Sequence, residues 1–183
     1  VIDTTAPTAT ITSAAYNPTS GVITVTGTNL TTMNVANPSS DNHKSYLDWS
    51  KFVWDINGDN TTTADKTFAL SDIDTVVASN ASTMTITLTS TAKTALNSTN
   101  GFGAIGGNDT LDVSAGFIKD TFGNAATTDA RANGTIAYSD TGAPTVSTSA
   151  GFTSTTTDGN YGLNDDINIT ATMSEPVIQG SSF

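Results

Sequence analysis

Ile23-Thr24-Val25-Thr26-Gly27-Thr28 alternates apolar and polar residues without a break. Period two marks a strand with one buried face, because successive side chains leave a strand on opposite sides. Valine, isoleucine and threonine are β-branched and pack well on a pleated surface. The alternation recurs in Ile167-Asn168-Ile169-Thr170-Ala171-Thr172. Upstream of each run stands a matching string, Asp3-Thr4-Thr5-Ala6-Pro7-Thr8 and Asp140-Thr141-Gly142-Ala143-Pro144-Thr145. Asp3 therefore maps onto Asp140, and the chain reads as a repeat. The expectation is a complete unit over residues 1–139 and the N-terminal part of a second over residues 140–183, cut from a longer polypeptide.

The matching string suits a joint. Proline fixes φ, lacks an amide donor and pushes the preceding alanine towards extended backbone. Within the first unit, Ala9-Thr10-Ile11-Thr12 opens the strands. The run from Tyr46 to Trp54 carries both tryptophans and reads as a central strand. Asp55-Ile56-Asn57-Gly58-Asp59-Asn60 reads as a hairpin turn leading to a partner strand at Lys66-Thr67-Phe68-Ala69-Leu70, Asn-Gly being a strong turn signal. Further strands are expected at 75–78, 83–89, 110–118 and 135–138. A short helix is expected at 91–97, capped by Ser90 or Thr91. Many short strands between turn signals predict an all-β fold of antiparallel sandwich type.

Composition narrows the function. Threonine makes up about a fifth of the chain, far above ordinary usage. The net charge is −11, and lysine and arginine together number six. Nucleic acid is not an expected partner, because phosphate binding needs clustered Lys and Arg. No apolar run approaches the length of a membrane span, so membrane insertion is not expected. The chain has no cysteine, which removes thiol catalysis, thiolate metal sites and disulfides.

The chain resembles the Ig-like repeats of large bacterial and archaeal surface proteins, the S-layer proteins and giant adhesins. The resemblance is carried by Asp3-Thr4-Thr5-Ala6-Pro7 and by Tyr16 followed by Gly21-Val22-Ile23-Thr24-Val25-Thr26-Gly27. It is also carried by Asp120-Thr121-Phe122-Gly123-Asn124-Ala125 and by Met173-Ser174-Glu175-Pro176-Val177. It implies an Ig-like β-sandwich, an extracellular place on the cell surface, and neighbouring copies or adjacent repeats as partners. It also implies carboxylates at the joint between repeats that hold Ca²⁺ and stiffen the array. In this sequence those are Asp140, Asp165 and Glu175.

One metal candidate comes from the residues themselves. Asp55, Asn57 and Asp59 place oxygen ligands at alternate positions, Gly58 permits a sharp turn, and Asp65 adds a later carboxylate. A hard cation such as Ca²⁺ needs this kind of donor set. The spacing departs from an EF-hand, with Asn60 where glycine is usual and Lys66 where the last glutamate is usual. A plain polar hairpin turn would use the same residue types.

Two strings imitate enzyme motifs. Asp140-Thr141-Gly142-Ala143 resembles an aspartic-protease signature, but its repeat partner Asp3-Thr4-Thr5 lacks the glycine and both lie in joints. Gly101-Phe102-Gly103-Ala104-Ile105-Gly106 fits a dinucleotide pattern but is followed by a strand, not the helix that pattern requires. His43, the one histidine, lies in a polar segment and reads as a solvated loop residue. Trp49 and Trp54, five apart, would leave one strand on opposite faces, one in the core and the other free for glycan contact or a second core. No catalytic set emerges. The expected function is a structural, calcium-stiffened repeat of an S-layer, sheath, filament or adhesin stalk, with a glycan-binding module as the alternative and a glycosidase domain ranked last.

Overall fold

The computed structural model describes residues 3–30, 42–59, 65–99, 102–103, 108–120, 122–138, 145–146 and 151–173. The chain divides into two units, Val1–Asp140 and Thr141–Phe183.

The first unit is all-β. Among its described residues are strands β1 (Thr10–Asn17), β2 (Val22–Thr28), β3 (Phe52–Asp55), β4 (Asp65–Thr67), β5 (Ile73–Asn80), β6 (Thr83–Leu88), β7 (Thr110–Val113) and β8 (Arg131–Tyr138), with one α-helix, α1 (Ser90–Asn97). They form one mixed sheet in the order β4-β3-β7-β8-β1-β2-β6-β5. All described pairings in it are antiparallel except β1 with β8, where Ala14 stands opposite Ile136 and Tyr16 opposite Tyr138. The expectation of purely antiparallel pairing is corrected at this one seam.

Alternation decides which face is buried. Ile23 and Val25 on β2 and Met84, Ile86 and Leu88 on β6 point inward, while the threonines between them stay partly exposed. On β3 and β7 the inward residues are Phe52, Trp54, Leu111 and Val113. Each fully buried aliphatic side chain contributes about 1.5–3 kcal/mol. All of these belong to one core. Tyr16 on β1 meets Trp54 on β3 edge-on, with ring centroids 5.1 Å apart. In a flat sheet those strands would lie three spacings apart, roughly 14 Å. The sheet therefore curls so that its two halves face each other.

The stretch from Tyr46 to Trp54 is not a single strand. Lys44–Tyr46 and Trp49–Lys51 form 3-10 turns, and only Phe52–Asp55 extends. Asp48 Oδ1 accepts from the Ser50 amide and hydroxyl, an alternative to strand pairing that Asp and Ser favour. The turn carries Trp49 into the core, 5% exposed, with its indole donating to the Lys44 carbonyl at 2.8 Å. Trp54 is 0% exposed. Both tryptophans are core residues, so neither offers a glycan platform. β3 is also next to the sheet edge rather than central.

Three further expectations change. α1 is capped by Thr89, whose hydroxyl accepts from the Ala92 amide. β7 ends at Val113, because Gly116 turns the chain with φ 91° and tucks Phe117 and Ile118 into the core. His43 is buried, not solvated. Its amide donates to the Val76 carbonyl of edge strand β5. Asn42 donates to the Asp74 carbonyl and accepts from the Val76 amide, and Lys44 Nζ reaches the Ile73 carbonyl at 2.7 Å. This segment covers the edge of β5, which would otherwise present unpaired backbone to another chain.

The second unit pairs β9 (Phe152–Thr153) with β10 (Thr170–Ala171). The alternating run at 167–172 thus forms a two-residue strand, and Phe152, Leu163, Ile167 and Ile169 are exposed.

Candidate functional site

The turn after β3 is organised by a carboxylate. Asp55 Oδ1 accepts from the amides of Asn57 at 3.1 Å and Gly58 at 2.7 Å. This Asx turn folds the chain back over Asp55, which is 2% exposed although it lies on the outer face of the sheet. Gly58 has φ 61°, and a Cβ there would collide with the Asn108 carbonyl, so glycine is required for both reasons. Asn57 Nδ2 donates to Asp59 Oδ2 at 2.9 Å.

Strand register brings more oxygen to the same place. Asp55 stands opposite Asp65 on β4 and opposite Thr110 on β7, and Val53, two residues back, stands opposite Asp112. Directly paired residues share a face, so Asp65, Asp55, Thr110 and Asp112 lie on one patch. The Asp65 carboxyl is held above the ordinary carboxylate range, first by burial and then by the negative charges of Asp55, Asp112 and Asp59. Asp112 is tied down at Oδ1 by the Asn133 amide at 2.6 Å and lies in the field of Arg131.

Asn57 Oδ1, Asp65 Oδ1 and Thr110 Oγ1 are buried atoms without a hydrogen-bond partner. Such atoms are uncommon, and each costs about 1–3 kcal/mol if nothing satisfies it. All three offer oxygen lone pairs, the donor chemistry of a hard cation site. Among the described residues no three acidic or histidine side chains converge on one coordinating point. The patch is an open cluster in which the neighbouring carboxylates act on Asp65.

Of the expected ligands, Asp55, Asn57, Asp59 and Asp65 are therefore gathered at one hairpin. Asp165 lies elsewhere, in an exposed turn of the second unit, where its carboxylate accepts from the Gly162 amide. Asp140 and Glu175 lie outside the described residues, as do Gly101 and residues 104–107 of the glycine-rich loop.

Two features had no signal in the sequence. Asp109 is 1% exposed and accepts from Trp54 Nε1 and from the Tyr138 hydroxyl, both at 2.6 Å. Burial, with Asp109 beside it, pushes the Tyr138 phenol far above its usual value, so Tyr138 stays a donor. Tyr16 and Phe102 pack edge-on to the Tyr138 ring. The second feature is a groove of about 770 Å³ whose walls include half-exposed Tyr46 and Leu70 with Asp48, Lys119 and Asp120.

No family model, curated protein or solved structure matches the chain.

Proposed function

We propose that this chain is part of a repeat array in a secreted cell-surface protein, an S-layer, sheath, filament or adhesin stalk, and that its first unit is an Ig-like sandwich. The observation that carries the reading is the recurrence of Asp3-Thr4-Thr5-Ala6-Pro7-Thr8 at Asp140, next to the division between the two units. Strand order supports the Ig-like part. In an immunoglobulin domain the strands lettered A, B, E and D share one sheet, and C, F and G the other, with C′ added beside C in variable domains. Lettered in chain order, β1-β2-β6-β5 follows the first pattern and β8-β7-β3-β4 the second. The parallel β1/β8 seam joins the first strand to the last.

The reading assigns the first unit a mechanical role. Its β5 edge is covered and its β4 edge is three residues long, so lateral strand addition there is disfavoured. Partners in the array are neighbouring copies or adjacent repeats, joined end to end, and Ca²⁺ serves to stiffen the units. No catalytic role is assigned. Intact mass of the native protein tests the proposal. A chain much longer than this one, carrying further copies of the Asp3–Asp140 string, is expected, and a mature protein limited to these residues overturns it.

A second reading rests on the groove beside Tyr46. An aromatic ring, an aliphatic wall, two carboxylates and one ammonium suit a glycan. Glycan-array binding that is lost in Tyr46→Ala favours this reading, and array-wide silence removes it.

A further inference from the structure

We infer that β7 completes a Ca²⁺ site on the outer face of the first unit, with Thr110 and Asp112 joining Asp55, Asn57, Asp59 and Asp65. The inference deepens the calcium part of the proposed function and rests on that reading for its biological purpose. The residue set itself comes from the fold. A local turn supplies the first three donors, and register supplies the rest. Asp65 enters from β4 on one side of Asp55, and Thr110 enters from β7 on the other.

Thr110 carries the argument beyond a collection of acids. It is 8% exposed, and its Oγ1 has no hydrogen-bond partner. A threonine at this register position needs no hydroxyl for packing, since valine fills the same volume. Its side chain lies against the turn, with Cγ2 3.4 Å from the place where a Cβ on Gly58 would stand. The unpartnered Oδ1 atoms of Asn57 and Asp65 belong to the same patch. Three buried oxygens without donors, in a patch that also carries the charges of Asp55, Asp59 and Asp112, form a surplus of acceptors. A proton donor from the protein would relieve one of them. A cation that takes six to eight oxygens at about 2.3–2.6 Å satisfies such oxygens as they close on it and offsets the repulsion.

The geometry fits Ca²⁺ better than Mg²⁺. The donors come from one turn and two strands, an irregular origin for a coordination shell. Ca²⁺ accepts irregular geometry and higher coordination, whereas Mg²⁺ demands near-ideal octahedral ligands. The mechanical consequence is a clamp. The cation ties the β3–β4 hairpin to β7 and so closes one end of the half-sheet β4-β3-β7-β8.

The test uses the whole chain, stripped with EDTA and titrated with Ca²⁺ by calorimetry, alongside thermal melts with and without Ca²⁺. Wild type, Asp65→Asn, Thr110→Val and Asp165→Asn are compared. Saturable Ca²⁺ binding that raises the melting midpoint is expected. Asp65→Asn is expected to weaken it by at least about tenfold, the scale of lost ligands and their supports. Thr110→Val removes an unpaired buried hydroxyl, so the stripped variant should melt no lower than wild type while its affinity for Ca²⁺ falls several-fold. Asp165→Asn should leave binding at this site intact. Absence of Ca²⁺ binding, or binding untouched by both Asp65→Asn and Thr110→Val in folded protein, overturns the site. Either failure leaves the repeat-array reading standing, since that reading is tested separately, by the native mass of the protein and its place on the cell.

Discussion

Removing the Asp109 carboxylate should be among the most damaging single changes in the first unit. Asp109 Oδ2 accepts from the buried Trp54 Nε1 and from the part-buried Tyr138 hydroxyl, each at 2.6 Å. Both aromatic residues come from strands that flank β7 in the sheet, so the carboxylate pins β3 to β8 across it. Asp109→Ala leaves a buried donor and a part-buried donor unpaired. Each costs about 1–3 kcal/mol, giving roughly 2–6 kcal/mol before any cavity is counted. For a unit of this size that corresponds to a fall of about 6–20 °C in melting midpoint. Urea denaturation followed by tryptophan fluorescence is the assay. Trp54 is one of two tryptophans, so the native signal itself should change when its indole partner is lost. A double-mutant cycle sharpens the result. Tyr138→Phe removes one orphaned donor, so Asp109→Ala with Tyr138→Phe should cost less than the sum of the two, with a coupling of about 0.5–3 kcal/mol. A cost below about 1 kcal/mol for Asp109→Ala, at unchanged m-value, refutes the pinning role.

Other expectations are narrower. Gly27→Ala places a methyl group against the Thr10 carbonyl, where backbone faces backbone at the start of β1, so it should cost about 3 kcal/mol or more or prevent folding, as read from denaturant melts. Trp49→Ala removes a core indole and its bond to the Lys44 carbonyl and should cost about 3–5 kcal/mol by the same measurement. Asp48 is held below the ordinary carboxylate range, chiefly by the Ser50 hydroxyl, so its contribution to stability is present above that range and lost as pH falls through the lowered value. Asp48→Asn, an equally good cap, should flatten that acid limb in melts taken across pH 2–5 and leave neutral behaviour little changed.

The sequence was most informative where burial and local pattern agree. β2 and β6 announce themselves because Ile23, Val25, Met84 and Ile86 alternate with threonine, and period two has one structural meaning when one face is buried. The stretch before β3 misleads because Asp48 and Ser50 satisfy each other locally and win against strand pairing. His43 looks solvated because its neighbours are polar. Those neighbours are polar in order to bond the β5 backbone, with Asn42 acting as a substitute strand.

The candidate cation site divides the same way. Asp55, Asn57 and Asp59 are legible from spacing because a turn is a local object. Thr110 and Asp112 are some fifty residues further along the chain and reach the patch only through the β3/β7 register, which no short-range pattern encodes. The parallel seam between β1 and β8 was hidden for the same reason, since it joins the two ends of the unit. Asp109 adds that a buried charge leaves no trace in composition, because an aspartate after a glycine-rich loop reads as one more turn residue.

Surface labelling of intact cells tests the central claim most directly. Antibodies raised against the first unit, applied to unpermeabilised cells and imaged by immunogold electron microscopy, should decorate the outer surface densely, as a layer, sheath or projecting filament does. Gold confined to the interior of permeabilised cells would contradict the account.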